Sequence, residues 1–131
     1  MPAIVVGALY MVADEKITLL PEEERQVHDE KRRFLVLSGN TNSEDGWPVV
    51  LGCPVSASTS FKTRFDVKLA AGEAGTTKKC WIRIPATQPL LKTALEDLTG
   101  TLKADRLQEV QARLLQYLGL VGAGELSEED L

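Results

Sequence analysis

The segment Arg33-Phe-Leu-Val-Leu-Ser-Gly-Asn40 decides how the rest of the chain is read. Phe34 to Leu37 form an unbroken apolar run that is too short for a helix, which predicts a buried strand. Downstream, Gly39–Gly46 has the composition of a loop, and Trp47-Pro-Val-Val-Leu-Gly-Cys-Pro-Val55 predicts a second strand with its prolines near the two ends. Ser56–Ser60 is small and polar, as a loop leaving a strand should be. In Phe65-Asp-Val-Lys-Leu69, Phe65, Val67 and Leu69 alternate with Asp66 and Lys68, the period of a half-buried strand. Gly72 and Gly75 mark a turn, after which Lys79-Cys-Trp-Ile-Arg-Ile84 returns as the partner strand, with Arg83 on the side of Trp81.

Upstream, Ala3–Val12 reads as a strand, Asp14-Glu15 as a turn, Ile17–Leu20 as a short extended piece and Pro21–Glu30 as a polar loop with a helical turn. After Pro89 the period changes. Leu90, Leu91, Leu95 and Leu98 predict a short helix ending at Gly100. Leu107, Val110, Leu114 and Leu118 predict an amphipathic helix from Ala104 to Leu118, closed by Gly119. Five or so strands followed by two helices give an α+β chain: a small, strongly bent sheet or barrel with helices at its margin.

The 131 residues suit one domain with a core of its own. The apolar fraction of 44% and charged fraction of 26% exclude a wholly disordered or fibrous chain. No apolar run is long enough to span a bilayer, and the N-terminal stretch lacks a signal peptide's basic leader. Cys53 and Cys80 are too few for a disulfide framework or a metal cluster and are expected as buried, reduced thiols; the expected compartment is the cytoplasm. The net charge of −4 hides a gradient: residues 1–30 and 93–131 each carry −5, and residues 31–92 carry +6. A basic middle segment can attract phosphate whatever the total. Residues 122–131 are small and acidic and are expected as a frayed or disordered tail to a domain of residues 1–121.

The chemical inventory is narrow. With His28 as its one histidine, the chain has no His–His acid/base pair, and it has no zinc-ligand or phosphate-loop spacing. What remains are arginines and hydroxyls at strand ends: Arg33 before the buried run, Ser56 after the next strand and Arg83 within the Trp81–Ile84 strand.

In that order and spacing, Arg33–Asn40, Val49–Ser56, Phe65–Leu69, Cys80–Arg83 and Leu102–Val110 running on to Leu120 resemble the PemK/MazF family of toxins over about residues 7–120. The resemblance implies an SH3-like barrel, PemK/CcdB-like, with a C-terminal helix. It implies a homodimer held in check by an acidic antitoxin, and a metal- and cofactor-independent endoribonuclease acting on single-stranded RNA. It puts Arg33 at the phosphate-stabilising arginine, Ser56 at the hydroxyl that is usually Thr, and Arg83 at the arginine of an Arg-x-Asp pair. Pro85 replaces that pair's carboxylate, and Gln88 stands where the family has a further arginine.

In such a reaction the substrate's 2′-OH attacks, so the protein's task is to hold the phosphate and stabilise growing charge. A guanidinium, with five donors and a permanent charge, suits that task. His28 is a candidate for proton transfer, while Lys62, Arg64, Lys78, Lys79 and Gln88 are candidate RNA contacts. Two alternatives follow from the departures at Pro85 and Gln88: a CcdB-like toxin that poisons DNA gyrase, and a barrel that has lost its chemistry and serves as a binding module.

Overall fold

The computed structural model describes residues 4–19, 31–39, 47–59 and 62–121. Seven strands and one helix follow in chain order: β1 (Ala8–Ala13), β2 (Lys31–Val36), β3 (Val49–Ser56), β4 (Val67–Leu69), β5 (Cys80–Ile82), β6 (Gln88–Leu91), β7 (Leu98–Thr101) and α1 (Ala104–Tyr117). All pairings are antiparallel, in the order β4-β5-β3-β2-β1-β7, with β6 also on β3. The result is a curled half-barrel with one helix; the bent sheet and the C-terminal helix are as the sequence predicts, and the other predicted helix is absent among the described residues.

β3 makes the curl by changing partners along its length. Val49–Gly52 pair with β6, Gly52–Pro54 with β2, and Val55–Ser56 with β5. Alternation then feeds two cores. Leu9, Leu35, Cys53, Val55, Ile82 and Ile84 face one side, which α1 covers with Leu107, Val110 and Leu114. Val12, Phe34, Val36 and Val50 face the other, closed by Ile4, Ile17, Leu90 and Leu95. The unbroken run Phe34–Val36 is therefore apolar on both faces because both are buried. Cys53 and Cys80 are buried free thiols in or at the first core. Burial pushes the Cys53 thiol up, out of the range in which it would ionise.

The expected helix over Leu90–Gly100 is not formed. Its residues divide into β6, a 3-10 turn at Lys92–Ala94 and β7. Pro89 falls within β6 opposite Leu51, and Leu91 and Leu98 are 57% and 58% exposed, so the four leucines do not share one buried stripe. The open edges of β1 and β3 offer ladders to β7 and β6, and those ladders override the local spacing. The second predicted helix forms as α1. Gly119 ends it, its N–H donating to Gln116 O and that of Leu120 to Leu115 O. No helix among the described residues is long and apolar enough to cross a membrane.

Gly52 permits the crossing of partners. A Cβ there would lie 2.2 Å from Leu35 O and 2.4 Å from the Phe34 ring. Gly52→Ala is expected to lower stability by about 3 kcal/mol, because neither backbone nor a buried ring can give way cheaply. A urea midpoint equal to the parent's would contradict this account of the crossing.

Candidate functional site

Successive residues on β2 point to opposite faces, so Arg32 and Arg33 have different surroundings. Arg32 lies across from Val12 and donates from Nε to the buried Asp14 carboxylate at 2.8 Å and from Nη1 to Val55 O at 3.3 Å. Arg33 lies across from Met11 and turns to the α1 side of the sheet. Its Nη2 donates to Gly75 O at 3.1 Å, and its buried Nε has no acceptor. Arg33 thus holds a half-buried charge with donor capacity that the fold does not use. Cys80 is close enough to feel it: burial pushes that thiol up, and the Arg33 charge pulls the other way.

Ser56 is 9% exposed, and its hydroxyl oxygen accepts the Ser58 N–H at 3.2 Å. The pairing of Phe34 with Pro54 brings Arg33 across from Val55, and alternation gives Ser56 the other face of β3. The sequence groups Arg33 with Ser56; the ladder sets them on neighbouring strands with side chains directed apart. Ser56 instead stands across from Trp81.

Trp81 is the centre of the second cluster. It is 6% exposed, with Lys62 Nζ at 5.2 Å and Lys79 Nζ at 5.7 Å from its ring centroid. Lys68 is its cross-strand partner on β4. Arg64 lies over Phe65 at 5.1 Å, and that ring meets Tyr117 edge-on at 5.2 Å. Among the described residues, Lys62, Arg64, Lys68, Lys78 and Lys79 have no carboxylate partner, whereas Lys31, Arg32, Arg83 and Arg106 do. Cations free of counter-charge over a buried indole form a face suited to a polyanion.

Arg83 is not a surface charge. It is buried, donates from Nη1 to Asp66 Oδ2 at 3.0 Å and from Nη2 to Ser58 O, and so ties the exit of β3 to the start of β4. Arg83 finds its carboxylate in Asp66, with Pro85 two residues on offering none. Sequence reading passed over Asp66 and Lys68 as the polar half of a strand. The hairpin register carries the signal for both, since pairing Val67 with Ile82 sets Asp66 across from Arg83 and Lys68 across from Trp81. The Gln88 amide is occupied: it accepts from Thr18 N–H at 2.9 Å and donates to Thr18 O and Ala86 O. That amide anchors the segment after β1. His28 and residues 122–131 lie outside the described residues.

A family model described as PemK-like, MazF-like toxin of type II toxin–antitoxin systems matches residues 16–118. The chain belongs to this toxin family. Among solved structures, an endoribonuclease in complex with its cognate antitoxin from a mycobacterial species aligns at TM-score 0.66 and 16% identity, covering 93% of this chain and 99% of the other. A MazE–MazF structure from Deinococcus radiodurans aligns at 0.65 and 21%, covering 91% and 98%. The Mycobacterium tuberculosis toxin MazF-mt6 aligns at 0.66 and 15%, covering 88% and 99%. No curated protein matches by sequence. At these identities the likeness shows the fold, an antiparallel half-barrel with a terminal helix.

Asp66→Asn removes the counter-charge from a buried guanidinium and is expected to cost about 3–5 kcal/mol. Chemical denaturation checks it, and a loss below about 1 kcal/mol, the worth of a surface pair, would show that the pair is not desolvated.

Proposed function

We propose that this toxin is a metal-independent endoribonuclease that cuts single-stranded RNA. The substrate 2′-OH attacks the adjacent phosphorus and gives its proton to solvent, the P–O5′ bond breaks with the 5′ oxygen taking up a proton from solvent, and a 2′,3′-cyclic phosphate remains. The observation that carries the reading is the Arg33 guanidinium, half-buried with donors unused, on the fold of a toxin family that also carries lysines around Trp81 without carboxylate partners. Arg33 stabilises charge on the non-bridging oxygens, and a charge held in place before reaction needs no reorganisation as the oxyanion develops. Lys62, Lys68 and Lys79 hold the backbone, with Arg64 and Lys78 beside them. Ser56 and Arg83 act through position in this reading: the Ser56 hydroxyl and the Arg83 side chain both bind the backbone of Ser58 and shape the end of β3. Residues 1–121 are the working domain, acting in the cytoplasm as a homodimer, and an acidic antitoxin competes with RNA for the lysine face.

The test is incubation of the purified protein with mixed-sequence single-stranded RNA in EDTA. Cleavage is expected, and Arg33→Ala is expected to lower its rate by about 10²–10³-fold, the usual cost of one oxyanion donor. Absence of cleavage, or an Arg33→Ala variant as fast as the parent, overturns the reading.

Binding has its own signature. With an oligonucleotide blocked by 2′-deoxy substitution, Lys62→Gln, Lys68→Gln and Lys79→Gln are each expected to flatten the plot of log affinity against log salt by about 0.7. Titrations at several salt concentrations check this, and unchanged slopes would remove the lysine face from the reading.

A further inference from the structure

Arg33 is aimed by a turn that belongs to none of the strands. Residues 70–76 close on themselves: Gly72 N–H donates to Thr76 O at 2.9 Å, Glu73 N–H to Ala70 O at 3.0 Å, and the Thr76 hydroxyl to Glu73 O at 2.7 Å. The turn is pressed against β7. A Cβ on Gly75 would meet Thr99 O at 2.0 Å, and one on Gly100 would meet Ala74 O at 2.2 Å. Gly75 has φ +81°, which glycine tolerates, and its carbonyl is the one that receives Arg33 Nη2.

A second tie comes from the helix. Arg106 on α1 donates from Nε to Glu73 Oε2 at 2.6 Å and from Nη2 to Lys68 O, while Glu73 Oε1 accepts the Ala70 N–H at 3.0 Å. One guanidinium thus joins α1, the end of β4 and the turn. Burial raises the Glu73 carboxyl, but the hydrogen bonds from Arg106 and Ala70 outweigh it and hold the carboxyl below its ordinary range, so the pair stays ionised. Arg106 and Glu73 do not touch Arg33 directly, and Arg106 meets the lysine face only at the Lys68 backbone carbonyl. Their reach to Arg33 runs through the Gly75 carbonyl.

We propose that Glu73 and Arg106 are positioning residues for Arg33: their ion pair fixes the turn, and the turn's Gly75 carbonyl sets the direction of the guanidinium. The claim rests on the reading of Arg33 as the transition-state donor. With the pair broken, the turn loses its link to α1 and is held by its packing on β7 alone, so the carbonyl that orients Arg33 is placed less firmly. Misplacing a catalytic group by a fraction of an ångström to an ångström slows chemistry while leaving binding through the lysines intact.

Steady-state cleavage of one oligonucleotide by the parent, Glu73→Gln, Arg106→Gln, Arg106→Lys and Arg33→Ala tests it. Glu73→Gln and Arg106→Gln are expected to lower kcat about 10–100-fold with KM within twofold, and Arg106→Lys, which keeps the charge, to recover part of the loss. Glu73→Asp replaces the Gln variant if melting curves show that one unfolded at the assay temperature, with the same split expected. Unchanged kcat in the Gln variants, or KM rising in place of a fall in kcat, overturns the positioning role while an inactive Arg33→Ala leaves the nuclease reading standing. An Arg33→Ala variant as fast as the parent overturns both.

Discussion

The structure depends on one strand that serves three partners. β3 leaves β6, crosses β2 and reaches β5 within eight residues, and it can do so only because Gly52 lets the Leu35 carbonyl and the Phe34 ring approach the backbone. That crossing bends the sheet enough to bury both of its faces. It also separates two environments. On the α1 side lies Arg33 with its turn; at the β4–β5 end lies the lysine face around Trp81.

The charges divide along the same line. Arg32, Arg83 and Arg106 each meet a carboxylate and bind pieces of the fold to one another. The lysines on Trp81 meet none. In a chain with a net charge of −4, leaving a cluster of cations without partners costs self-repulsion, and that cost makes sense where an anion visits. Arg33 is intermediate: it is anchored by one donor, and its buried Nε has no acceptor, so the fold leaves part of its donor capacity unused.

Much of the fold was legible in the sequence because it is carried by short-range patterns. The apolar run at Phe34, the alternation from Phe65 to Leu69, the spacing from Leu107 to Leu118 and the cap at Gly119 each mean the same thing locally and globally. The segment Leu90–Gly100 does not, since leucines that serve a core, a rim and a surface mimic a helical stripe until β1 and β3 claim the backbone. The site was legible in its residue types more than in its geometry. Arg33 and the lysines stand out by charge, but whether Ser56 shares a face with Arg33 depends on register, and Asp66 as the partner of Arg83 depends on the hairpin alignment. The Glu73–Arg106 tie spans 33 positions and leaves no trace in either segment alone.

The claim at the centre is that the Arg33 guanidinium takes the scissile phosphate. The most direct measurement follows its Nε–H signal by nuclear magnetic resonance as a 2′-deoxy-blocked oligonucleotide is added. The account predicts that this signal shifts and that its exchange with water slows at saturation. A signal that stays in place while those of Lys62 and Lys79 move would show RNA bound on the lysine face with Arg33 uninvolved, and would contradict it.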